Sequence, residues 1–201
     1  MSLAAAKRRE YLNLPNYLTL GRVLLVPVVM VILSMISPDK SQPYNFIVGL
    51  IASGVFILAG VSDLVDGYYA RKFGINSIFG KYFDPLADKL MVLAVMIMLI
   101  PIDRIPAWIV VVFLARELTI TALRGIATAE GLEIPADQWG KKKTVLQNIA
   151  LVALMIHYDI WIANAQKFGW VVLLMALIMA IGSGINYVYQ FSKSILRKYP
   201  A

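Results

Sequence analysis

Four aspartates lie close together in residues 62–89, and they are the residues of this chain best suited to chemistry. Asp63 and Asp66 are three residues apart, so on a helix both side chains lie on one side. Asp84 and Asp88 are four residues apart and would share a face of the following helix. Because the intervening segment is short, the two helices are expected to be antiparallel neighbours with their aspartate-bearing ends together. Four carboxylates would then converge at one end of a helical bundle.

Carboxylates that converge in a poorly solvated site repel one another, so such a cluster cannot remain ionised without compensation. Either several of the aspartates are protonated or divalent cations lie among them. Oxygen ligands without a nearby histidine or cysteine suit Mg2+ or Mn2+, and two such ions suit in-line attack at phosphorus. Gly67, Ala70 and Gly80 leave room for a bulky phosphate-bearing ligand, and Arg71 can donate two hydrogen bonds to phosphate. The alternative interpretation is that the aspartates are solvated charges that cap helix ends.

An apolar helical bundle is expected to carry these residues. Of the 201 residues, 60% are hydrophobic and 15% are charged, whereas soluble domains are usually about 45–50% apolar and about 25% charged. Six apolar stretches are long enough to cross a hydrocarbon core of about 30 Å, which takes about 20 residues. We place these helices near residues 17–37, 44–62, 82–101, 106–128, 145–162 and 169–191. The expected fold is all-α, a single membrane domain over residues 1–201 with six transmembrane helices in one bundle and residues 1–16 as a cytoplasmic N-terminal segment.

The positive charges are distributed unevenly between the two sides of the predicted bundle. Most lysines and arginines fall at the termini and in the loops 63–81 and 129–144, whereas the opposite loops contain only Lys40, Arg104 and Lys167. By the positive-inside rule both termini and those two loops are cytoplasmic, so the aspartate cluster faces the cytoplasm. The net charge of +7 does not indicate nucleic-acid binding, since no basic face remains once the helices are embedded. The absence of cysteine excludes disulfides and thiol nucleophiles.

Residues 63–88 follow the pattern DxxDGxxAR, eight further residues, then GxxxDxxxD, which resembles the signature of the CDP-alcohol phosphatidyltransferases. The fixed positions that agree are Asp63, Asp66, Gly67, Ala70, Arg71, Gly80, Asp84 and Asp88. The resemblance implies that a phosphatidyl group is transferred from a CDP-lipid to an alcohol, with release of CMP. It also implies that the four aspartates bind two divalent cations, Mg2+ or Mn2+, and that Asp88 removes the proton of the acceptor hydroxyl. The residues that it implies for binding the CDP-lipid are Asn16, Thr19, Gly67, Ala70, Arg71, Ser77 and Gly80.

Three further segments, 13–27, 115–131 and 140–147, resemble the bacterial branch of this family that uses glycerol 3-phosphate as acceptor. Arginines within apolar stretches also favour an anionic acceptor, because unpaired arginines at membrane depth are costly. The residues predicted to bind the acceptor phosphate are Arg22, Arg116, Arg124, Lys141 and Lys143. The alternative is that Arg116 pairs with an aspartate and that Arg124 extends to the membrane surface.

The resemblance implies CDP-diacylglycerol and glycerol 3-phosphate as substrates, a homodimer, and the bacterial cytoplasmic membrane as the location. Within the same family, a cardiolipin synthase or an enzyme that uses inositol phosphate is an open alternative. From another class, a cation or proton transporter would use the aspartate cluster as its ion site. A transporter needs sites accessible from both sides, and apart from His157 and Asp159 near the end of one span the outer halves of the predicted helices lack charged residues.

Overall fold

The computed structural model describes residues 14–73, 78–132, 134, 138–160 and 163–199. Six helices follow one another in this part of the chain: α1 (Leu14–Ser34), α2 (Gln42–Phe73), α3 (Ile78–Leu99), α4 (Ala107–Ala129), α5 (Gln138–Ile156) and α6 (Ala165–Lys198). An antiparallel pair of two-residue strands, β1 (Asp159–Ile160) and β2 (Ala163–Asn164), precedes α6. The predicted all-α class is confirmed, with this short hairpin as an addition that the sequence did not indicate.

Several helices extend beyond the apolar stretches that predicted them. α2 continues to Phe73 rather than ending near residue 62, and α5 begins at Gln138 rather than near residue 145. The reason is that apolar side chains mark only the part of a helix suited to lipid, whereas backbone hydrogen bonding continues into a polar flank. α5 stops at Ile156, before the predicted end near residue 162, because His157 adopts a left-handed backbone with φ of 66°.

Local sequence accounts for both ends of α4 and for the beginning of α6. Pro106 precedes α4 with φ of −75°, a position at which its missing N–H is not needed. After α4, Gly131 takes a left-handed φ of 67°, and N–H groups of Gly131 and Leu132 donate to the carbonyls of Thr128 and Ala127. This is the Schellman arrangement that ends many helices. Asn164 caps α6 by accepting a hydrogen bond from the Lys167 N–H at 2.8 Å.

Contacts divide the chain into two compact units, Met1–Arg104 and Ile105–Ala201, which are described separately. In the first unit, α1 packs against both α2 and α3. Its core includes Leu33 of α1, Phe56 of α2 and Val95 of α3, all buried. Asn45, in the first turn of α2, donates from Nδ2 to the Ser37 carbonyl at 2.8 Å and thereby fixes the turn that joins α1 to α2.

In the second unit, α6 packs along α5 and also contacts α4. Gly169 allows the close approach of α6 to α5, since a Cβ at this position would lie 2.8 Å from Leu154 Cγ and 3.2 Å from Ala153 Cβ. Small residues at such contacts let helix backbones pack closely, which is the usual device where lipid surrounds the helices. The core of this unit includes Leu151 and Leu173, both fully buried.

Large apolar side chains also face outward on the helices. Leu24 and Leu58 of the first unit and Ile178 and Ile185 of the second are each exposed by more than 60%. In the part of the chain that the structure describes, two helical stretches, Gln42–Ser62 and Ala165–Lys198, are long and apolar enough to cross a membrane, and Leu20–Ser34 is a shorter apolar helix. α4 and α5 are not among these stretches because they contain more charged residues. The sequence analysis predicted that all six helices cross the membrane.

Candidate active site

The aspartate cluster is carried by the end of α2 and the beginning of α3. Asp63 and Asp66 fall in the C-terminal part of α2, and Asp84 and Asp88 fall in the N-terminal part of α3. Because both segments are helical, the spacings of three and four residues place each pair of Cα–Cβ bonds on one side of its helix. The side chains of Asp63, Asp66 and Asp84 lie outside the described residues, and Asp88 is half-buried.

The aspartates lie at similar distances from the adjoining ends of their helices. Asp63 lies about 15 Å from the end of α2 and Asp88 about 15 Å from the beginning of α3, at about 1.5 Å per residue. Asp66 and Asp84 each lie about 10 Å from those same ends. α2 and α3 contact each other. An antiparallel arrangement of the two helices would bring Asp63 level with Asp88 and Asp66 level with Asp84.

Six of the seven residues predicted to bind the CDP-lipid fall on the three helices of the first unit. Asn16 and Thr19 lie in the first turns of α1, and the four signature positions 67, 70, 71 and 80 lie at the adjoining ends of α2 and α3. α1 and α2 are antiparallel neighbours, so the beginning of α1 is at the same end of this unit as the end of α2. Ser77 and the side chains of the other six lie outside the described residues. Arg22, further along α1, is 2% exposed.

In the second unit, Arg116 and Lys143 share one carboxylate. Arg116 Nη1 and Lys143 Nζ each lie 2.7 Å from Glu117 Oε1. Arg116 Nη2 also donates to Ser183 Oγ at 2.9 Å, which ties α4 to α6. Both cations are mostly withdrawn from solvent, with side-chain exposures of 14% for Arg116 and 5% for Lys143. Ionised donors and acceptors make short, strong hydrogen bonds in such surroundings.

Glycines and an aromatic ring define the space around this ionic cluster of Arg116, Glu117, Lys143 and Ser183. A Cβ at Gly140 would lie 3.4 Å from Arg116 Nη2, and one at Gly184 would lie 3.3 Å from Arg116 Cγ. The Lys143 ammonium lies 6.0 Å from the centre of the Phe113 ring, at the limit of a cation–π contact. Arg116 also lines a groove of about 450 Å³ between α4 and α6, whose other lining residues include Thr119, Ile120 and Ile185.

The other two cations predicted for this unit do not join the cluster. Lys141 is exposed, since a separation of two residues puts it on the opposite side of α5 from Lys143. Arg124 is exposed on α4, about 12 Å along the helix axis from Arg116. Within the described residues neither of these two side chains forms an ion pair. The alternative in which Arg116 pairs with an aspartate is replaced by its pairing with Glu117.

A second ionic contact joins the ends of α4 and α6. Lys198 Nζ lies 2.7 Å from Glu130 Oε2 and donates to the Glu130 carbonyl, and the Tyr199 hydroxyl donates to the same carboxylate at 2.9 Å. The hydrogen bond from Lys198 holds the pKa of Glu130 below its ordinary value, and the bond from Tyr199 adds to the effect. This contact is exposed on both sides, so it has the character of a surface ion pair.

Sequence reasoning missed the parts played by Glu117 and Ser183. The available signal was that Arg116 and Glu117, a basic and an acidic residue, follow one another within an apolar stretch. Charges at such a position are expected to be paired. Nothing local indicated that Lys143 and Ser183 are the partners of these two residues, since they lie on other helices.

The chain is similar to known proteins over most of its length. Residues 12–182 match the family model described as CDP-alcohol phosphatidyltransferase. A CDP-diacylglycerol–glycerol-3-phosphate 3-phosphatidyltransferase of Bacillus subtilis is 40% identical, over 90% of this chain and 95% of the relative. The protein of the same name from Haemophilus influenzae is 34% identical, over 92% of this chain and 96% of the relative. A probable phosphatidylglycerophosphate synthase of Mycobacterium tuberculosis is 32% identical, over 94% of this chain and 87% of the relative.

Proposed function

The chain belongs to the CDP-alcohol phosphatidyltransferase family, and from this premise we propose that it transfers the phosphatidyl group of CDP-diacylglycerol to glycerol 3-phosphate. The products are phosphatidylglycerophosphate and CMP. The observation that carries this proposal is the agreement of relatives from distant bacteria, which are similar over about nine-tenths of the chain and are named for this one reaction. The eight signature positions between residues 63 and 88 supply the residues that such a reaction needs.

The family uses a divalent metal ion, and the carboxylates of Asp63, Asp66, Asp84 and Asp88 would hold it. Carboxylate oxygens without a nearby histidine or cysteine suit Mg2+ or Mn2+. A pair of such ions would bind phosphate oxygens and neutralise the charge that develops on them during transfer. The adjoining residues Asn16, Thr19, Gly67, Ala70, Arg71, Ser77 and Gly80 would bind the CDP group.

Asp88 is the proposed base. The acceptor hydroxyl oxygen forms a bond to the lipid-side phosphorus, the bond from that phosphorus to the CMP oxygen breaks, and the hydroxyl proton passes to Asp88. The half-buried position of Asp88 on α3 supports this role, since the residue is partly withdrawn from bulk water at one end of the signature segment. Most of the remaining rate enhancement comes from positioning and from charge neutralisation.

The acceptor phosphate is proposed to bind to the cations of α4 and α5. Arg116 and Lys143 are held together and are largely withdrawn from water, where their attraction for an anion is stronger than at the surface. Arg124 and Lys141, exposed on the same helices, would attract the anion from solution. Arg22 belongs to the first unit and keeps its predicted role in binding the acceptor.

The chain is a membrane protein with apolar helices, and we propose that all six helices cross the bacterial cytoplasmic membrane with both termini in the cytoplasm. The uneven distribution of lysine and arginine supports this orientation, and the outward-facing leucines and isoleucines support burial in lipid. A homodimer is the proposed state. Its support is the family resemblance.

CMP release tests the function. Purified protein in detergent, supplied with CDP-diacylglycerol and Mg2+ or Mn2+, should release CMP with glycerol 3-phosphate and not with inositol phosphate, phosphatidylglycerol or buffer alone. Chelation by EDTA should stop the release and added Mn2+ should restore it. Release with phosphatidylglycerol or inositol phosphate would keep the mechanism and replace the acceptor. If folded protein supplied with metal fails to release CMP with every acceptor tested, the proposal is wrong.

A further inference from the structure

Glu117 contacts both of the cations proposed to bind the acceptor phosphate. Its Oε1 lies 2.7 Å from Arg116 Nη1 and 2.7 Å from Lys143 Nζ. We propose that Glu117, together with Ser183, is a positioning residue, which sets the separation and direction of Arg116 and Lys143 so that both bind one phosphate. The inference rests on the proposed function, because it takes the acceptor to be a phosphate ester.

A shared carboxylate is needed because two cations do not remain adjacent unaided. Arg116 and Lys143 come from different helices, both are largely buried, and their like charges repel. Glu117 offsets that repulsion, and its single carboxylate does not neutralise both cations. An anion is therefore still attracted to the cluster. Lys143 is also a flexible side chain, and its ion pair selects one direction for the ammonium.

Ser183 fixes the plane of the Arg116 guanidinium. The Ser183 hydroxyl donates to the Ala180 carbonyl at 3.1 Å, so its proton is engaged and its oxygen accepts from Arg116 Nη2 at 2.9 Å. Because the guanidinium is planar, one contact on Nη1 and another on Nη2 determine its orientation. Gly184 leaves space beside the Arg116 stem, where an added Cβ would lie 3.3 Å from Cγ.

The guanidinium keeps donors for a ligand. An arginine has five N–H donors, of which Glu117 and Ser183 each accept from one nitrogen. Arg116 Nε is buried and has no hydrogen-bond partner among the described residues. An unpaired buried donor is unfavourable, so this arginine is not arranged for stability alone. Its remaining donors suit the forked recognition of phosphate.

The opposite role for Glu117 makes an opposite prediction. If Glu117 were only a counterion that competes with the substrate, its neutralisation would increase the positive field and lower the KM for the acceptor. If Glu117 positions the cations, neutralisation lets them separate and raises that KM. The sign of the change therefore distinguishes the two roles.

The experiment measures CMP release by wild type, Glu117→Gln and Ser183→Ala while glycerol 3-phosphate and CDP-diacylglycerol are varied in turn. We expect Glu117→Gln to raise the KM for glycerol 3-phosphate about tenfold, as for loss of hydrogen bonds to charged groups, with the KM for CDP-diacylglycerol unchanged. Ser183→Ala should raise the same KM by a smaller factor. An unchanged or lowered KM for glycerol 3-phosphate in both variants would overturn the inference.

A double variant and a matched control complete the design. In Lys143→Gln, the further change Glu117→Gln should raise the KM for glycerol 3-phosphate less than it does in wild type, because one of its two cations is gone. Glu130→Gln removes an equally short ion pair on the same helix and should leave both KM values unchanged. If Glu117→Gln does not fold, Ser183→Ala decides the outcome. If the wild-type protein releases no CMP with glycerol 3-phosphate, the proposed function is wrong. If the wild type is active and the variants have unaltered KM values, only the positioning role is wrong.

Discussion

At the scale of single residues, the proposed chemistry is divided between carboxylates on α2 and α3 and cations on α4 and α5. Asp88 is the carboxylate whose own environment is described, and it is half-buried. Arg116 and Lys143 are also withdrawn from water, yet each has Glu117 as a partner at 2.7 Å. Charges at such positions are costly unless they are paired, so their presence in apolar helices favours a functional role over a packing role.

Asp88→Asn tests the proposed base at this scale. The amide keeps nearly the same shape but cannot accept the hydroxyl proton, so we expect kcat to fall by about 100-fold or more. Binding of CDP-diacylglycerol should be largely unchanged. The matched control is Asp159→Asn, an exposed aspartate outside the proposed site, which should retain wild-type turnover. A wild-type rate of CMP release in Asp88→Asn would remove this residue from the mechanism.

At the scale of helices, the close contact between α5 and α6 depends on a glycine. Gly169→Ala would place a Cβ 2.8 Å from Leu154 Cγ, and overpacking of this kind costs about 1–3 kcal/mol. Gly182→Ala is the matched control in the same helix, because nothing lies within 4 Å of its added Cβ and alanine favours the helix by about 1 kcal/mol. The unfolding temperature in detergent should therefore fall for Gly169→Ala and rise or stay constant for Gly182→Ala. Equal shifts would contradict the packing described for Gly169.

The ion pair between Glu130 and Lys198 links the ends of α4 and α6 and should make stability depend on pH. Because the pKa of Glu130 is lowered in the folded state, its contribution is present above the unfolded-state pKa and is lost as the pH falls through the folded-state pKa. The difference in unfolding temperature between wild type and Glu130→Gln should therefore be small, present at neutral pH, and absent at strongly acidic pH. High salt should also reduce it, since the pair is exposed. A difference that persists in acid would assign the effect to another cause.

At the scale of the whole molecule, the orientation in the membrane decides which solution reaches the proposed site. Lys167 and Lys193 lie near opposite ends of α6, about 39 Å apart along its axis, which exceeds a hydrocarbon core of about 30 Å. The chain contains no cysteine, so labelling of a single introduced cysteine shows on which side of the membrane that residue lies. In intact bacterial cells a membrane-impermeant maleimide should label Lys167→Cys, and it should label Lys193→Cys only after permeabilisation. The reverse pattern would place the termini outside the cytoplasm.

The sequence by itself determined the all-α class, the approximate position of six helices and the aspartate signature. These features depend on residues that are near one another in the chain, and apolar runs and helical spacing report such local arrangements directly. It did not determine that α2 continues past residue 62 to Phe73 or that α5 begins at Gln138. Hydropathy is insensitive to helix that extends beyond the apolar segment.

Only the tertiary structure decided how the cations are used. The sequence grouped Arg116, Arg124, Lys141 and Lys143 as equivalent candidates, whereas the fold buries Arg116 and Lys143 against one carboxylate and leaves the other two exposed. Lys143 is separated from Glu117 by 26 residues and Ser183 from Arg116 by 67. Periodicity along one helix predicts which residues share a face, but the partner of that face depends on how α4, α5 and α6 pack. The long-range ion pair therefore could not be predicted from spacing alone.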